Sequence, residues 1–202
     1  MKYILLCICL FSLLGCGTDI KTQQDTKPTT TASEQAKTVQ GQDAHVIAAK
    51  QALSAGDYVK TIEEATASIK NTPNNAEAYS VRGFATALHG DTAKGLADTK
   101  KAYDLDPNNV ANYYNMAMVY KLQGQLNDSK QWFEKVLEKD PSNTWSVYGI
   151  ATIYADQGDD TKALDWLEKA INIDPSVKAV AAEQDHFERF HNNARFKTLV
   201  GL

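Results

Sequence analysis

A proline and a glycine each return every 34 residues along this chain. Pro73, Pro107, Pro141 and Pro175 form one ladder, and Gly56, Gly90, Gly124 and Gly158 form a second at the same interval. Two helix breakers locked to one period mean a repeat built from helices. Each glycine stands between two amphipathic runs, so it ends a first helix and lets a second fold back. Each proline then marks the loop to the next pair.

The residues beside the breakers supply helix starts. Asp57, Asp91 and Asp159 follow their glycines, with Gln125 in the remaining repeat, and a side-chain oxygen there can cap the orphan amides of the second helix. Asn74-Asn75, Asn108-Asn109, Ser142-Asn143 and Ser176 follow the prolines and are expected to cap the next first helix in the same way.

The first helices carry Tyr79-Arg82-Gly83-Thr86, Tyr113-Met116-Ala117-Tyr120 and Val147-Ile150-Ala151-Tyr154, with a small residue at Gly83, Ala117 and Ala151 where helices must pack closely. The second helices carry Ser129, Phe133 and Pro141, then Ala163, Leu167 and Pro175, and less fully Gly95, Thr99 and Pro107. These motifs resemble, with substitutions, the W-x2-L-G-x2-Y and A-x3-F…P halves of the tetratricopeptide repeat family. The resemblance covers Gln42 to about Val177 and is poorest in the first repeat. It implies an all-α, right-handed superhelical solenoid of about four helix-turn-helix units, 42–75, 76–109, 110–143 and 144–177, with the repeat domain over 42–175. Capping helices are expected over 176–202, where Phe187, Phe190, Phe196 and Leu199 would bury against the open end of the stack. Asp185-His186-Phe187 and Arg195-Phe196-Lys197-Thr198-Leu199 there are similar to a closing segment found after many bacterial repeats of this kind.

The start of the chain has a different character. Met1-Lys2 precedes an apolar or small run from Tyr3 to Leu14, too short to span a bilayer but suited to a secretory signal over 1–15. Leu13-Leu14-Gly15-Cys16 resembles the bacterial lipobox, which implies cleavage before Cys16 and lipidation of its thiol. Cys7 and Cys9 would leave with the signal, so no internal disulfide could form in the mature chain. Residues 17–41 are rich in Thr, Gln, Lys and Asp and hold few large apolar groups, which predicts a disordered tether behind the anchor, 16–41 in all. Such a linker spans on the order of 25–30 Å. By this resemblance the protein would sit in a bacterial envelope, anchored by lipid, with Gly17 after the cysteine allowing export to an outer membrane.

The formal net charge of −4 argues against binding nucleic acid or another polyanion, which needs a basic face. The family places first helices along the concave face, which implies a groove carrying Lys50, Phe84, Tyr114, Met118, Lys121, Trp145 and Tyr148. Asp43, Glu77, Val46, Ser80, Leu53, Ala87, Thr152 and Ala155 fall in the same columns. Tyr, Trp and Met give contact area suited to a peptide or amphipathic helix. Phe84 and Met118 fit packing between neighbouring first helices equally well, whereas the hydroxyls of Tyr114 and Tyr148 want water or a polar partner. The clamp of paired basic residues with which some members of this family hold a carboxylate is missing, its columns holding Val46, Lys50, Ser80, Tyr114 and Asn115. Trp132 and Trp166, on second helices, are expected to seal edges between repeats.

No phosphate loop, nucleophile elbow or cofactor motif is present, and no catalytic residue is assigned. His186 and His191 are not spaced for one helical face, and Asp156, Asp159 and Asp160 lack calcium-loop order, so no metal site is assigned either. Two functional readings follow. One is a non-enzymatic, lipid-anchored scaffold that binds another envelope protein or peptide in its groove, as in assembly of outer-membrane, pilus, secretion or cell-wall complexes. The other is an enzyme or small-molecule receptor that uses the groove as a pocket, which would need convergent polar groups there.

Overall fold

The computed structural model describes residues 43–202. The expected signal segment, Cys16 and the expected tether lie outside these residues. The described chain is helical: α1 (Ala44–Ser54), α2 (Tyr58–Asn71), α3 (Ala76–Leu88), α4 (Thr92–Leu105), α5 (Val110–Leu122), α6 (Leu126–Lys139), α7 (Thr144–Gln157), α8 (Asp160–Ile173), α9 (Val177–Glu183), a 3-10 turn (Asp185–Phe190) and α10 (Ala194–Val200). Helices pack in successive antiparallel pairs, α1 with α2 through α7 with α8, and each pair stacks on the next.

Local chemistry sets these boundaries. Gly56, Gly90, Gly124 and Gly158 all have φ between 73° and 110°, the left-handed region that a side chain makes costly. Asp57, Asp91 and Asp159 accept from the amides of Lys60, Lys94 and Lys162. Asn75, Asn109 and Asn143 accept from Ala78, Ala111 and Ser146. Two expected caps do not form. Gln125 makes no side-chain cap bond, its extra methylene carrying the amide past the helix end, and Ser176 sits in helical backbone with its own amide donated to Asp174. Asp43 also differs from expectation. It caps α1 and accepts from Ser68 and Asn75, which ties the first pair to the second and keeps its carboxyl below the usual range.

The second repeat is the most tightly closed. A Cβ on Gly83 would lie 2.7 Å from the carbonyl oxygen of Gly95, and one on Gly95 would lie 2.6 Å from that of Gly83. Backbone therefore meets backbone where α3 crosses α4. Arg82, standing where the repeat pattern has leucine, is accommodated by a two-pronged bond to Asp98 on α4, at 2.7 and 2.9 Å. Gly83→Ala is expected to lower stability by about 1–2 kcal/mol, since overpacking costs about 1–3 kcal/mol and the helix preference of alanine returns at most about 1 kcal/mol. A urea melt checks it, and unchanged or raised stability would show that the helices can part freely.

Volume grows along the equivalent column of the second helices, from Ala65 to Thr99 to Phe133, all fully buried. The Phe133 ring lies between Tyr114 on α5, at 5.7 Å between centroids, and the backbone of Gly149 on α7, where a Cβ would fall 2.6 Å from it. The backbones of α1 and α3, and of α3 and α5, come together, but those of α5 and α7 stay apart. A bulky ring has replaced close helix contact, and a cleft opens beside it. Trp132 meets Tyr103 edge to face at 5.1 Å and also reaches Tyr113, closing the seam between the second and third repeats.

The chain's end closes the stack. Phe187, Phe190 and Phe196 form one aromatic cluster, with centroids 5.7–6.1 Å apart and exposures of 1% or less. They pack on Tyr148, Leu167 and Ala181, with Leu199 partly buried at the edge. Arg195 reaches Asp165 and Glu168, while Arg189 reaches Asp160 and the carbonyl of Ala155, so charged pairs pin the rim of an apolar plug.

Candidate functional site

The cleft between α5 and α7 collects residues from three elements. Tyr114, Met118 and Lys121 come from successive turns of α5, and Trp145, Tyr148, Gly149 and Thr152 from α7. Val180, Gln184 and His186, from the chain's end, form the remaining wall of a cavity of about 70 Å³. Helical spacing explains the first two sets, since residues three and four apart share a face. The third set arrives because the apolar cap carries His186 in beside Phe187.

The polar groups form a chain. His186 Nδ1 lies 2.6 Å from Asp156 Oδ1, and a carboxylate only accepts, so Nδ1 carries the proton. That leaves the Nε2 of a neutral His186 to accept from Lys121 Nζ, 3.3 Å away. Thr152 donates its hydroxyl proton to the Gly149 carbonyl at 2.8 Å, so its oxygen also accepts from Lys121. Burial pulls the Lys121 ammonium from 10.5 down to about 8, against the opposing pull of Asp156. A cation is thus held in a largely apolar cleft.

The other groove residues are distributed differently. Phe84, Met118 and Tyr148 keep only 6%, 9% and 8% of their surface, so they wall the cleft or the core rather than stand free on a face. Phe84 packs with Ala87, Phe133 and Met118 in the central core. Tyr148 stacks edge to face with Trp145 at 5.8 Å and abuts Phe187. Lys50 is exposed, away from the cleft, and pairs with Glu77. Asn115 donates to Ser80 at 2.9 Å, which uses both groups between neighbouring first helices.

Sequence reasoning placed Lys121 in the groove but did not bring Asp156 and His186 together with it. One signal was available: Lys121 is the single cation in a column otherwise made of Leu53, Ala87 and Ala155. His191, by contrast, stacks on Phe196 and reaches the Ala182 carbonyl, so it belongs to the cap. Among the described residues no group of three metal-binding side chains converges, and no helix is long and apolar enough to cross a membrane.

Two family profiles, each described as a tetratricopeptide repeat, match the chain over residues 99–131 and 123–183. No curated protein matches it. Solved structures are similar over most of its length. PilF of Pseudomonas aeruginosa is 14% identical, covering 78% of this chain and 72% of its own, with a TM-score of 0.65. A thermophilic repeat protein of Thermus thermophilus is 19% identical over 84% of this chain and 87% of its own, with a TM-score of 0.61. YrrB, described as a repeat protein with an unusual peptide-binding site, is 14% identical over 85% and 90%, with a TM-score of 0.54. At these identities the likeness speaks for the fold. With the two profiles together matching residues 99–183, and paired helices stacked as in these solenoids, the chain belongs to the tetratricopeptide repeat family.

Proposed function

We propose that this protein is a non-enzymatic interaction scaffold that takes part of another protein, one side chain or chain end deep, into the cleft between α5 and α7. The observation that carries this reading is the convergence there of Tyr114, Met118, Lys121 and Trp145, with Tyr148 behind them. Aromatic and sulfur groups around a single cation give area and one polar anchor, the composition of a binding hot spot rather than of an acid–base centre. The cavity of about 70 Å³ suits one anchoring group rather than a whole metabolite. The family likeness supports a protein partner, and the peptide-binding site attributed to YrrB is a parallel on the same kind of solenoid.

The finer reading keeps the lipid anchor. Cys16, with its preceding Leu13-Leu14-Gly15, would fix the repeats to a bacterial envelope membrane through the 17–41 tether, where the partner would be another envelope protein. Palmitate labelling in the native host tests this part, and labelling that persists in Cys16→Ser would refute it. The cleft is tested by placing a photoreactive residue at Tyr114 in cells and identifying what is crosslinked. One enriched envelope protein, lost when Trp145→Ala is added, is expected. No protein capture from a folded, membrane-bound sample would overturn the reading.

A further inference from the structure

The ammonium of Lys121 has three N–H donors. Thr152 Oγ1 and His186 Nε2 take two of them, and the third is left to the cavity that Lys121 lines. Among the described residues no carboxylate lines that cavity. Asp156 is the nearby one, and it is turned toward the far nitrogen of His186. Met118, Trp145 and Val180 are apolar apart from the indole, which can only donate. A partly desolvated cation at the end of a cavity wide enough for one small group selects an anion by charge and by hydrogen bonding together.

Charge and shape narrow the anion. Lys121 and Asp156 already balance, and Arg189 is committed to Asp160 and the Ala155 carbonyl, so no second cation is at hand for a dianion such as phosphate among the described residues of the cleft. A single carboxylate on a carbon frame fits, with its oxygen toward Lys121 and its carbons against Met118, Trp145 and Val180. We propose that this cleft is a carboxylate-binding site in which Lys121 Nζ donates its remaining hydrogen bond to the carboxylate of a chain terminus, an acidic side chain or a free organic acid. The site deepens the scaffold reading and rests on the same cleft. It uses the last turn of α5 and the chain's end, so it does not depend on the paired basic residues missing from the columns of Lys50 and Asn115.

Proton linkage gives the site a signature. The titratable and charged groups around Lys121 are Tyr148 and Asp156 from α7, His186 from the 3-10 turn and Tyr114 on its own helix, with Thr152 and Gln184 as uncharged polar neighbours. Its ammonium, at about 8, is half deprotonated at pH 8. A bound carboxylate restores the charge, so binding takes up to about half a proton at that pH.

The experiment titrates the full repeat domain with N-acetyl-dialanine as the free acid, the same peptide as its amide, and succinate. It reads the indole N–H resonance of Trp145 and calorimetric heats in two buffers of different ionisation enthalpy. The acid is expected to shift Trp145 at millimolar concentration or below, to bind at least about tenfold more tightly than the amide, and to take up protons at pH 8. Lys121→Met is expected to abolish the preference while remaining folded, with a melt at pH 7 no lower than that of the native protein. If succinate binds and the peptide acid does not, the carboxylate site stands and a chain terminus is excluded as its source, and the crosslinking result separates an acidic side chain from a free acid. Equal binding of acid and amide, no binding of any probe, or an unaltered Lys121→Met would overturn the carboxylate site and leave the crosslinking result to judge the scaffold.

Discussion

Phe187→Ala is expected to destabilise the protein by about 3–5 kcal/mol, the range for removing a fully buried phenyl ring from a core that cannot collapse around it. The ring is completely enclosed and touches Tyr148, Phe190 and Phe196, so its loss leaves a void shared by three other aromatic groups. The effect should extend past the cap. His186 precedes Phe187 in the chain and is brought to Asp156 and Lys121 by that ring's burial. Urea denaturation gives the magnitude, and amide exchange gives the distribution. Protection is expected to fall first in α9, α10 and the C-terminal half of α7, and to remain in α3 and α4, since neighbours in a stacked array couple only to each other. A loss below about 1 kcal/mol would mean that the segment after Pro175 is an appendage and not a cap.

How much of this was legible in the sequence depended on how local the cause was. The turn glycines needed only their own φ, and the capping aspartates and asparagines acted on amides within three residues, so spacing alone located the helix ends. Gln125 and Ser176 failed as caps for reasons of reach and backbone angle that spacing does not carry. The closeness of Gly83 to Gly95 was foreshadowed by small residues in register. The opening of the cleft was not, because it depends on the volume of Phe133 set against Gly149 on the next helix. Exposure also escaped the periodic pattern. A helical column says which residues share a face, but whether Phe84, Met118 and Tyr148 see solvent depends on what covers that face, and the chain's own end and the neighbouring repeats cover it. The Lys121–His186 contact joins residues 65 apart that belong to different kinds of element, so no repeat register relates them.

Lys121→Met is expected to stabilise the protein at pH 7 and to lose that advantage as the pH rises. The native ammonium is lowered from 10.5 to about 8 by burial, so between those values the unfolded chain binds more protons than the folded one. Stability of the native protein therefore rises with pH through this window. Below about pH 8 the buried charge imposes its full cost, at most about 3 kcal/mol at 1.36 kcal/mol per unit. Methionine fills nearly the same volume without the charge, but it leaves Thr152 and His186 without their donor, which returns about 1 kcal/mol. The expected net gain at pH 7 is about 1–2 kcal/mol, falling below zero by pH 10.5, where the native lysine is neutral and keeps its hydrogen bonds. The difference between the two proteins isolates the site of Lys121, because that side chain is all that distinguishes them. Urea midpoints at pH 7, 8, 9 and 10.5 measure it. A difference that does not change with pH would place the ammonium in water, and a less stable variant at pH 7 would show that Thr152, His186 and Asp156 already compensate the charge. A chain that keeps a costly cation where methionine would be more stable is holding it for an anion, and adding the carboxylate peptide should then narrow the gap at pH 7 by stabilising the native protein alone.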